Sequence, residues 1–174
     1  MYTLLGTACD RLERYDQAVQ AHGKAVELNP LYFQAWNNLG IAHFNLGQLE
    51  QAAKCHRRAL ELNPTYAFAY ASLGGLAIHR GTPLEAVGHL EKAIELNPSV
   101  AIAHSNLALA YAMVGKYEEA TVSLKQAITL GYRNWQEIQT RIEHLRTFGN
   151  PTSDQSRPRS IGFRTGNDED PTTA

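Results

Sequence analysis

The chain contains 174 residues, with 16 lysines and arginines against 17 aspartates and glutamates, which gives a formal net charge of −1. This balance argues against a nucleic-acid-binding protein, which normally carries a basic stripe. No apolar run approaches the ~20 residues of a membrane span, and the N-terminus lacks the pattern of a signal peptide. The two cysteines suggest no disulfide framework, so we expect a cytoplasmic protein without membrane insertion.

From the first residues onward, the same residue types return every 34 positions. We call the residues that occupy one position in successive repeats a column. A fixed period of this kind indicates a stack of identical structural motifs instead of a core folded around one centre. The clearest columns are the leucines Leu5, Leu39, Leu73 and Leu107 and the alanines Ala18, Ala52, Ala86 and Ala120.

The second repeat shows how each copy is built. Trp36, Leu39 and His43 are spaced by three and four residues, which places them on one face of a helix. Gly47 interrupts this pattern and a second helical run follows. Pro64 ends that run, because the residue before a proline is pushed out of the helical region. Each repeat is therefore predicted to be a helix, a short turn and a second helix, which makes the fold all-α.

The turns and helix starts carry signals of their own. Thr82 is predicted to cap the helix that follows it, with Pro83 at the first helical position and Glu85 closing a capping box. Gly40 and Ala52 are predicted to let two helices approach closely. A glycine column marks the turn within a repeat, where a positive φ favours glycine; its members are Gly47, Gly81 and Gly115.

The period stops near residue 134, which gives four repeats at about 1–32, 33–66, 67–100 and 101–134. Trp135, Ile138, Ile142 and Leu145 then recur at helical spacing, so an amphipathic helix over 135–148 is predicted to cap the stack. Residues 149–174 are rich in polar residues and proline and almost devoid of apolar ones, and we expect a disordered tail there.

The residues of the second repeat resemble the tetratricopeptide repeat, through Trp36, Leu39, Gly40, Ala52, Ala59 and Pro64. The other three copies keep most of this pattern, although histidine replaces the usual aromatic at His22, His43 and His56. The resemblance implies an α-solenoid of antiparallel helix hairpins that forms a right-handed superhelix. It also implies a concave groove lined by the first helix of each repeat.

We expect the groove to bind an apolar or amphipathic segment of a partner protein. Its predicted lining is uncharged, and its asparagine and serine column suits the backbone of an extended peptide. Relatives that bind a C-terminal carboxylate use lysine and arginine, which this lining lacks. The predicted lining residues are Gln34, Asn37, Asn38, Ile41, Phe44, Asn45, Phe68, Ser72, Ile78, His79, Ile102, Ser105, Asn106, Leu109 and Met113.

The sequence offers no signature of an enzyme. Phosphate loops, nucleophile elbows and dinucleotide fingerprints are missing from it, so no catalytic residue and no cofactor is predicted. His22 and His56 share a column and are interpreted as packing residues. Cys55 and His89 share another column, but two ligands are too few for a structural zinc site, so no metal is predicted.

Two other functions remain open at this stage. The chain could be the recruiting or regulatory portion of an enzyme complex, since the column of Asn38, Ser72 and Asn106 resembles the asparagine ladder of O-linked N-acetylglucosamine transferases. It could also assemble into a homo-oligomer through apolar surface around Leu4 and Leu5. Fold alone does not decide between these functions and a peptide-binding scaffold.

Overall fold

The computed structural model describes residues 1–149, so the predicted tail lies, apart from Gly149, outside the described residues. Within 1–149 the chain forms α-helices and no strands. None of these helices combines the length and apolarity that a bilayer span requires. The helices are α1 (Tyr2–Arg11), α2 (Tyr15–Leu28), α3 (Phe33–Asn45), α4 (Leu49–Leu62), α5 (Ala67–Arg80), α6 (Pro83–Leu96), α7 (Ala101–Met113), α8 (Tyr117–Thr129) and α9 (Trp135–Phe148).

The described residues divide into two compact units, and the boundary between them falls within α5. We call residues 1–72 unit 1 and the described residues from Leu73 onward unit 2. In unit 1, α1 packs against α2, α3 packs against α4, and α3 also contacts α1 and α2. In unit 2, α7 packs against α6 and α8, and α9 packs against both α7 and α8. Adjacent helices therefore pair as hairpins, which confirms the predicted α-solenoid class. The repeat boundaries stay a prediction.

The turn within each hairpin has the predicted backbone conformation. Gly47, Gly81 and Gly115 have φ angles of 74°, 74° and 82°. The first repeat places Glu13 in this column, and Glu13 is the only non-glycine residue with positive φ, 56°, in residues 1–149. In all four turns, the residue that follows this column donates a hydrogen bond from its backbone N–H to the carbonyl oxygen five residues earlier, with an N···O distance of 2.9 Å. The turn geometry is thus kept even where glycine is not.

The start of α6 corrects one prediction. Thr82 is the N-cap and Pro83 begins the helix, but the Thr82 side chain makes no capping bond to a backbone N–H. Its hydroxyl instead lies 2.9 Å from a carboxylate oxygen of Glu85 and 3.1 Å from the Ala77 carbonyl oxygen. The predicted capping box is wrong, because the tight turn brings the end of α5 close enough to offer the hydroxyl a different acceptor.

The small residues mark close helix contacts, as predicted. The alanine column Ala18, Ala52, Ala86 and Ala120 is fully buried. A Cβ added to Gly40 would stand 2.6 Å from the His56 ring, and one added to Gly6 would overlap His22 in the same way. In unit 2 the side chain that covers the equivalent Gly74 is Leu90. Each of these glycines is therefore required by the side chain that the second helix lays across it.

Candidate protein-binding face

The predicted lining residues of unit 1 are only partly accessible. Gln34 and Asn45 of α3 are half-buried, as is Phe68 at the start of α5. The remaining members are buried, and they are Asn37, Asn38, Ile41, Phe44 and Ser72.

Unit 2 shows the same division. His79 is exposed, and Ile78, Ile102 and Met113 are half-buried. Ser105, Asn106 and Leu109 of α7 are buried. Of the fifteen predicted lining residues, seven keep accessible surface and eight are buried, namely Asn37, Asn38, Ile41, Phe44, Ser72, Ser105, Asn106 and Leu109. The physical reason is that these side chains lie on the part of the first helix that packs against neighbouring helices. Whether the remaining surface binds a partner stays a prediction.

Asn37 is buried in the core of unit 1. Its side-chain oxygen accepts a 2.9 Å hydrogen bond from Nδ1 of His56, and the His56 side chain is 1% exposed. Burial, with a smaller contribution from the charge of His43, lowers the pKa of His56 to about 3. His56 is consequently neutral at pH 7, and Asn37 supplies the acceptor that its ring N–H requires.

The equivalent histidine of the first repeat is held by a carboxylate. Nε2 of His22 donates a 2.9 Å hydrogen bond to Asp10, and both side chains are buried. The interpretation of His22 and His56 as packing residues is confirmed, with buried polar partners that the sequence did not reveal. Because neither ring has accessible surface, neither can touch a substrate in this conformation. Residues 1–149 contain no group of three or more metal-ligating side chains.

Two amide side chains on the first helices each have a buried polar atom without a hydrogen-bond partner. Nδ2 of Asn106 and Oε1 of Gln34 are buried and have no hydrogen-bond partner within the described residues. Leaving such a group unpaired costs about 1–3 kcal/mol. Asn106 lies four residues after Ile102 on α7, so the two share a helix face. This face combines a partly open apolar side chain with a donor that lacks an acceptor.

Phe68 is held in an aromatic cluster in unit 1. The Tyr66 ring lies 4.9 Å from Phe33 in an edge-on arrangement and 5.6 Å from Phe68. Tyr66 is half-buried. The cluster fixes the position of the Phe68 ring while part of its surface stays accessible.

The comparisons with known proteins agree with this geometry. Three models described as tetratricopeptide repeats match residues 33–66, 8–47 and 89–121. The chain belongs to the tetratricopeptide repeat family. Tetratricopeptide repeats imply a protein-interaction scaffold. No curated protein matches the sequence.

Solved structures resemble this tetratricopeptide repeat protein over most of its length. TTC0263, a tetratricopeptide repeat protein of Thermus thermophilus, is 28% identical with a TM-score of 0.72, over 83% of this chain and 79% of that one. MamA is 27% identical with a TM-score of 0.63, over 80% and 79% of the two chains. An O-GlcNAc transferase of Thermobaculum terrenum is 24% identical with a TM-score of 0.67, over 74% of this chain but 25% of the transferase. This last likeness shows the fold alone.

A hydrogen bond that the sequence did not predict joins the first helix of two repeats to the turn that precedes it. The Trp36 indole N–H donates to the Pro30 carbonyl oxygen at 2.9 Å. Two repeats later, Nε2 of His104 makes the same bond to the Pro98 carbonyl oxygen, also at 2.9 Å. The recurrence of proline six residues before a ring with an N–H donor is the signal that could have predicted it.

The leucine column is covered in every repeat except the first. Leu39, Leu73 and Leu107 are 5–8% exposed, whereas Leu5 is 53% exposed and its neighbour Leu4 is 68% exposed. In unit 1, Leu39 packs with Ala25 and Val26 of the preceding second helix. Leu4 and Leu5 therefore leave an apolar surface on α1.

Proposed function

We propose that this tetratricopeptide repeat protein is a non-catalytic scaffold whose first-helix faces bind an apolar or amphipathic segment of a partner protein. The observation that carries the proposal is the set of partly open apolar side chains on those helices. Apolar surface of this kind on a folded protein commonly marks an interaction site. The apolar contributors are Phe68, Ile78 and Ile102.

The chemistry of these faces suits an extended peptide with apolar side chains. Because the predicted lining contains neither lysine nor arginine, a carboxylate or phosphate group is not the expected ligand. Nucleic acid is not expected either, since the formal net charge is −1.

Capture from a lysate of the source organism tests the proposal. The baits are the wild type, Phe68→Asp/Ile102→Asp, and the control Leu84→Asp, which replaces an exposed apolar residue of α6 outside the predicted lining. A synthetic peptide from the captured partner should bind the double variant about 30-fold more weakly, as expected for the loss of a hot spot of about 2 kcal/mol. Equal binding to all three proteins, with unchanged helical circular dichroism, would remove the first-helix faces as the site.

A second candidate function is self-assembly through α1. Leu4 and Leu5 leave an apolar face there. In a dimer with two-fold symmetry, this face of each copy would be buried against the same face of the other. Light scattering over a range of protein concentrations should then show a dimer for the wild type and a monomer for Leu4→Glu/Leu5→Glu. A wild type that stays monomeric at the highest concentration would exclude this candidate. The alternative of a portion of an enzyme complex has no support beyond the fold.

We also infer a reducing compartment, the cytoplasm. Cys9 and Cys55 are free and buried, and burial raises the pKa of the Cys55 thiol to about 11. Such thiols behave as small apolar side chains of the core. Fractionation of source cells, with detection of the protein outside the cytoplasmic fraction, would contradict this inference.

A further inference from the structure

Unit 2 contains a groove that is lined by residues of α6, α7 and α8. Its cavity volume of about 540 Å³ lies within the range of about 300–1,000 Å³ that is usual for ligand sites. Ile94, Leu107 and Val122 give it apolar walls. Its lining shares no residue with the predicted lining of the first-helix faces. We call this site the Val122 groove.

The second repeat carries a larger ring at the equivalent position. Trp36 packs there against the core of unit 1, and its indole N–H donates to the Pro30 carbonyl oxygen. His104 occupies the same column and makes the same bond to the Pro98 carbonyl oxygen. Because the imidazole ring is smaller than the indole ring, part of the space that a tryptophan would fill stays open in the Val122 groove.

The α8 wall of the groove is apolar where the other repeats are not. Val122 is 68% exposed, and the residues in its column are Gln20, Lys54 and Gly88. An apolar side chain that entered the cavity would remove surface of this valine from water, which is favourable. The wall of the fourth repeat is therefore suited to contact with an apolar group.

The rim of the Val122 groove is negatively charged. Glu118 and Glu119 line it and are exposed, and neither forms an ion pair within residues 1–149. Glu91 of α6 accepts a 2.7 Å hydrogen bond from the Tyr111 hydroxyl. Burial, this hydrogen bond and the charges of Glu91 and Glu119 raise the pKa of Tyr111 to about 12. Both carboxylates therefore act on the tyrosine that lines the groove.

The cations near the groove offset part of this charge. Nζ of Lys116 lies 5.7 Å from the centre of the Tyr111 ring, so Lys116 compensates one of the three carboxylates. Lys92 of α6 is bonded to Glu95 at 2.9 Å, and Lys125 of α8 lines a different cavity, between α8 and α9. Two negative charges remain in excess among the described residues here, so the groove favours a ligand that is both apolar and basic.

We propose that the Val122 groove binds a basic segment of a partner protein, with an apolar side chain of that segment in the cavity and its lysines or arginines at the rim. The apolar side chain would cover Val122 and Ile94. The cations would lie beside Glu118 and Glu119, which attract them and repel an acidic segment. This site goes beyond the proposed function, because it lies apart from the first-helix faces and does not rest on them.

A synthetic peptide in which one leucine is flanked by two arginines on each side serves as the probe. One control peptide replaces the leucine with serine, and another replaces the arginines with glutamates. On titration into the full chain at pH 7, the backbone amide NMR resonances of Val122 and Ser123 should shift. The serine peptide should bind about tenfold more weakly than the probe, and the glutamate peptide should not bind.

Two variants separate the apolar contact from the charges. Val122→Lys introduces the residue that the second repeat carries in this column, and it should bind the probe about tenfold more weakly. Glu118→Gln/Glu119→Gln should weaken binding about fivefold at low salt, because two exposed ion pairs are lost. The control Asp16→Asn/Glu27→Gln removes the same charge from exposed positions of α2 and should bind the probe as the wild type does.

Four results would overturn the proposal. The first is the absence of a shift at Val122 and Ser123 when the probe is added. The second is equal binding of the probe to the wild type and Val122→Lys, and the third is equal binding of the arginine and glutamate peptides. The fourth is a set of shifts confined to Phe68 and Ile102, which would assign the probe to the first-helix faces.

A second copy of this chain is the competing occupant of the Val122 groove. Spectra of the protein without peptide, recorded over a range of protein concentrations, distinguish it. We expect the resonances of Val122 and Ser123 to be independent of concentration. A shift of these resonances on dilution would show that another copy fills the groove and would overturn the proposal. Failure of the proposed function would leave all of these measurements unchanged.

Discussion

Acidification from pH 7 to pH 5 is expected to destabilise unit 1 through the buried imidazole of His56. The pKa of this group is about 3 in the folded protein, mainly because burial disfavours the charged ring, and about 6.5 in an unfolded chain. Between these values the unfolded chain binds a proton that the folded chain excludes. The free energy of unfolding therefore falls as the pH falls.

The size of this effect follows from the two pKa values. The contribution of His56 to stability is fully present above pH ~6.5 and is lost progressively down to pH ~3. At pH 5 the loss amounts to about 2 kcal/mol, since one pH unit below the unfolded pKa corresponds to about 1.4 kcal/mol. This is a large fraction of the stability of an ordinary domain.

Urea unfolding at pH 7 and pH 5 measures the loss, with a matched variant that removes only this titration. Asn37→Ala/His56→Leu introduces the residues that the third repeat carries in these columns, Ala71 and Leu90. The variant leaves neither a buried imidazole nor an unpaired amide at this contact. The wild type should lose about 2 kcal/mol more than the variant between the two pH values.

Equal losses in the two proteins would refute the reasoning. The protonation state itself is accessible by NMR. The ring-proton resonance of His56 in the folded protein should stay constant between pH 7 and pH 5. A titration centred near pH 6.5 would show that the ring is charged in the folded state and that the assignment to burial is wrong.

Three further predictions concern the backbone and the cap. Glu13→Gly is expected to raise the free energy of unfolding by about 0.5–1 kcal/mol, because Glu13 has a φ of 56°; an unchanged urea midpoint would contradict this. Gly40→Ala should lower the free energy of unfolding by about 1–3 kcal/mol, since the new Cβ would stand 2.6 Å from the His56 ring. If the variant were as stable as the wild type, the His56 ring would have to move aside at no cost. Tyr117→Phe should weaken the docking of α9 by about 1 kcal/mol, because the hydrogen bond to the Leu145 carbonyl oxygen is lost. Amide hydrogen exchange in α9 should then be faster than in the wild type, and an unchanged exchange rate would show that the bond does not stabilise the docking.

The period of the sequence was sufficient to predict the helix hairpins and their turns. Columns such as Gly47, Gly81 and Gly115 report a backbone requirement that recurs from copy to copy, so three positions carry the same information. The hydroxyl of Thr82 could not be placed in this way. Its choice of the Glu85 carboxylate and the Ala77 carbonyl depends on distances that only the folded turn sets.

Helical spacing alone does not separate the side chains of a groove from the side chains of a helix contact. Asn37 was assigned to the groove as a polar residue on the expected face, yet it is buried against His56. Its column contained a usable signal: Thr3, Ala71 and Ser105 are all small. A column that is uniformly small indicates close packing even when some members are polar. The exposure of Phe68 and Ile102 depends on neighbouring helices and could not be inferred from spacing.

The side chains that pack over Gly6, Gly40 and Gly74 also determine which part of the chain unfolds locally first. Unit 1 covers its glycines with His22 and His56, whereas unit 2 has Leu90 over Gly74. Buried polar pairs stabilise less than well-packed apolar side chains of similar volume. Local opening in a protein proceeds from its least stable cooperative segment. In mild acid, the backbone amide hydrogens of α1 to α4 should therefore exchange with solvent, and these helices should become sensitive to proteolysis, before α6 to α8 do. The N-terminal half would then unfold as a separate cooperative segment.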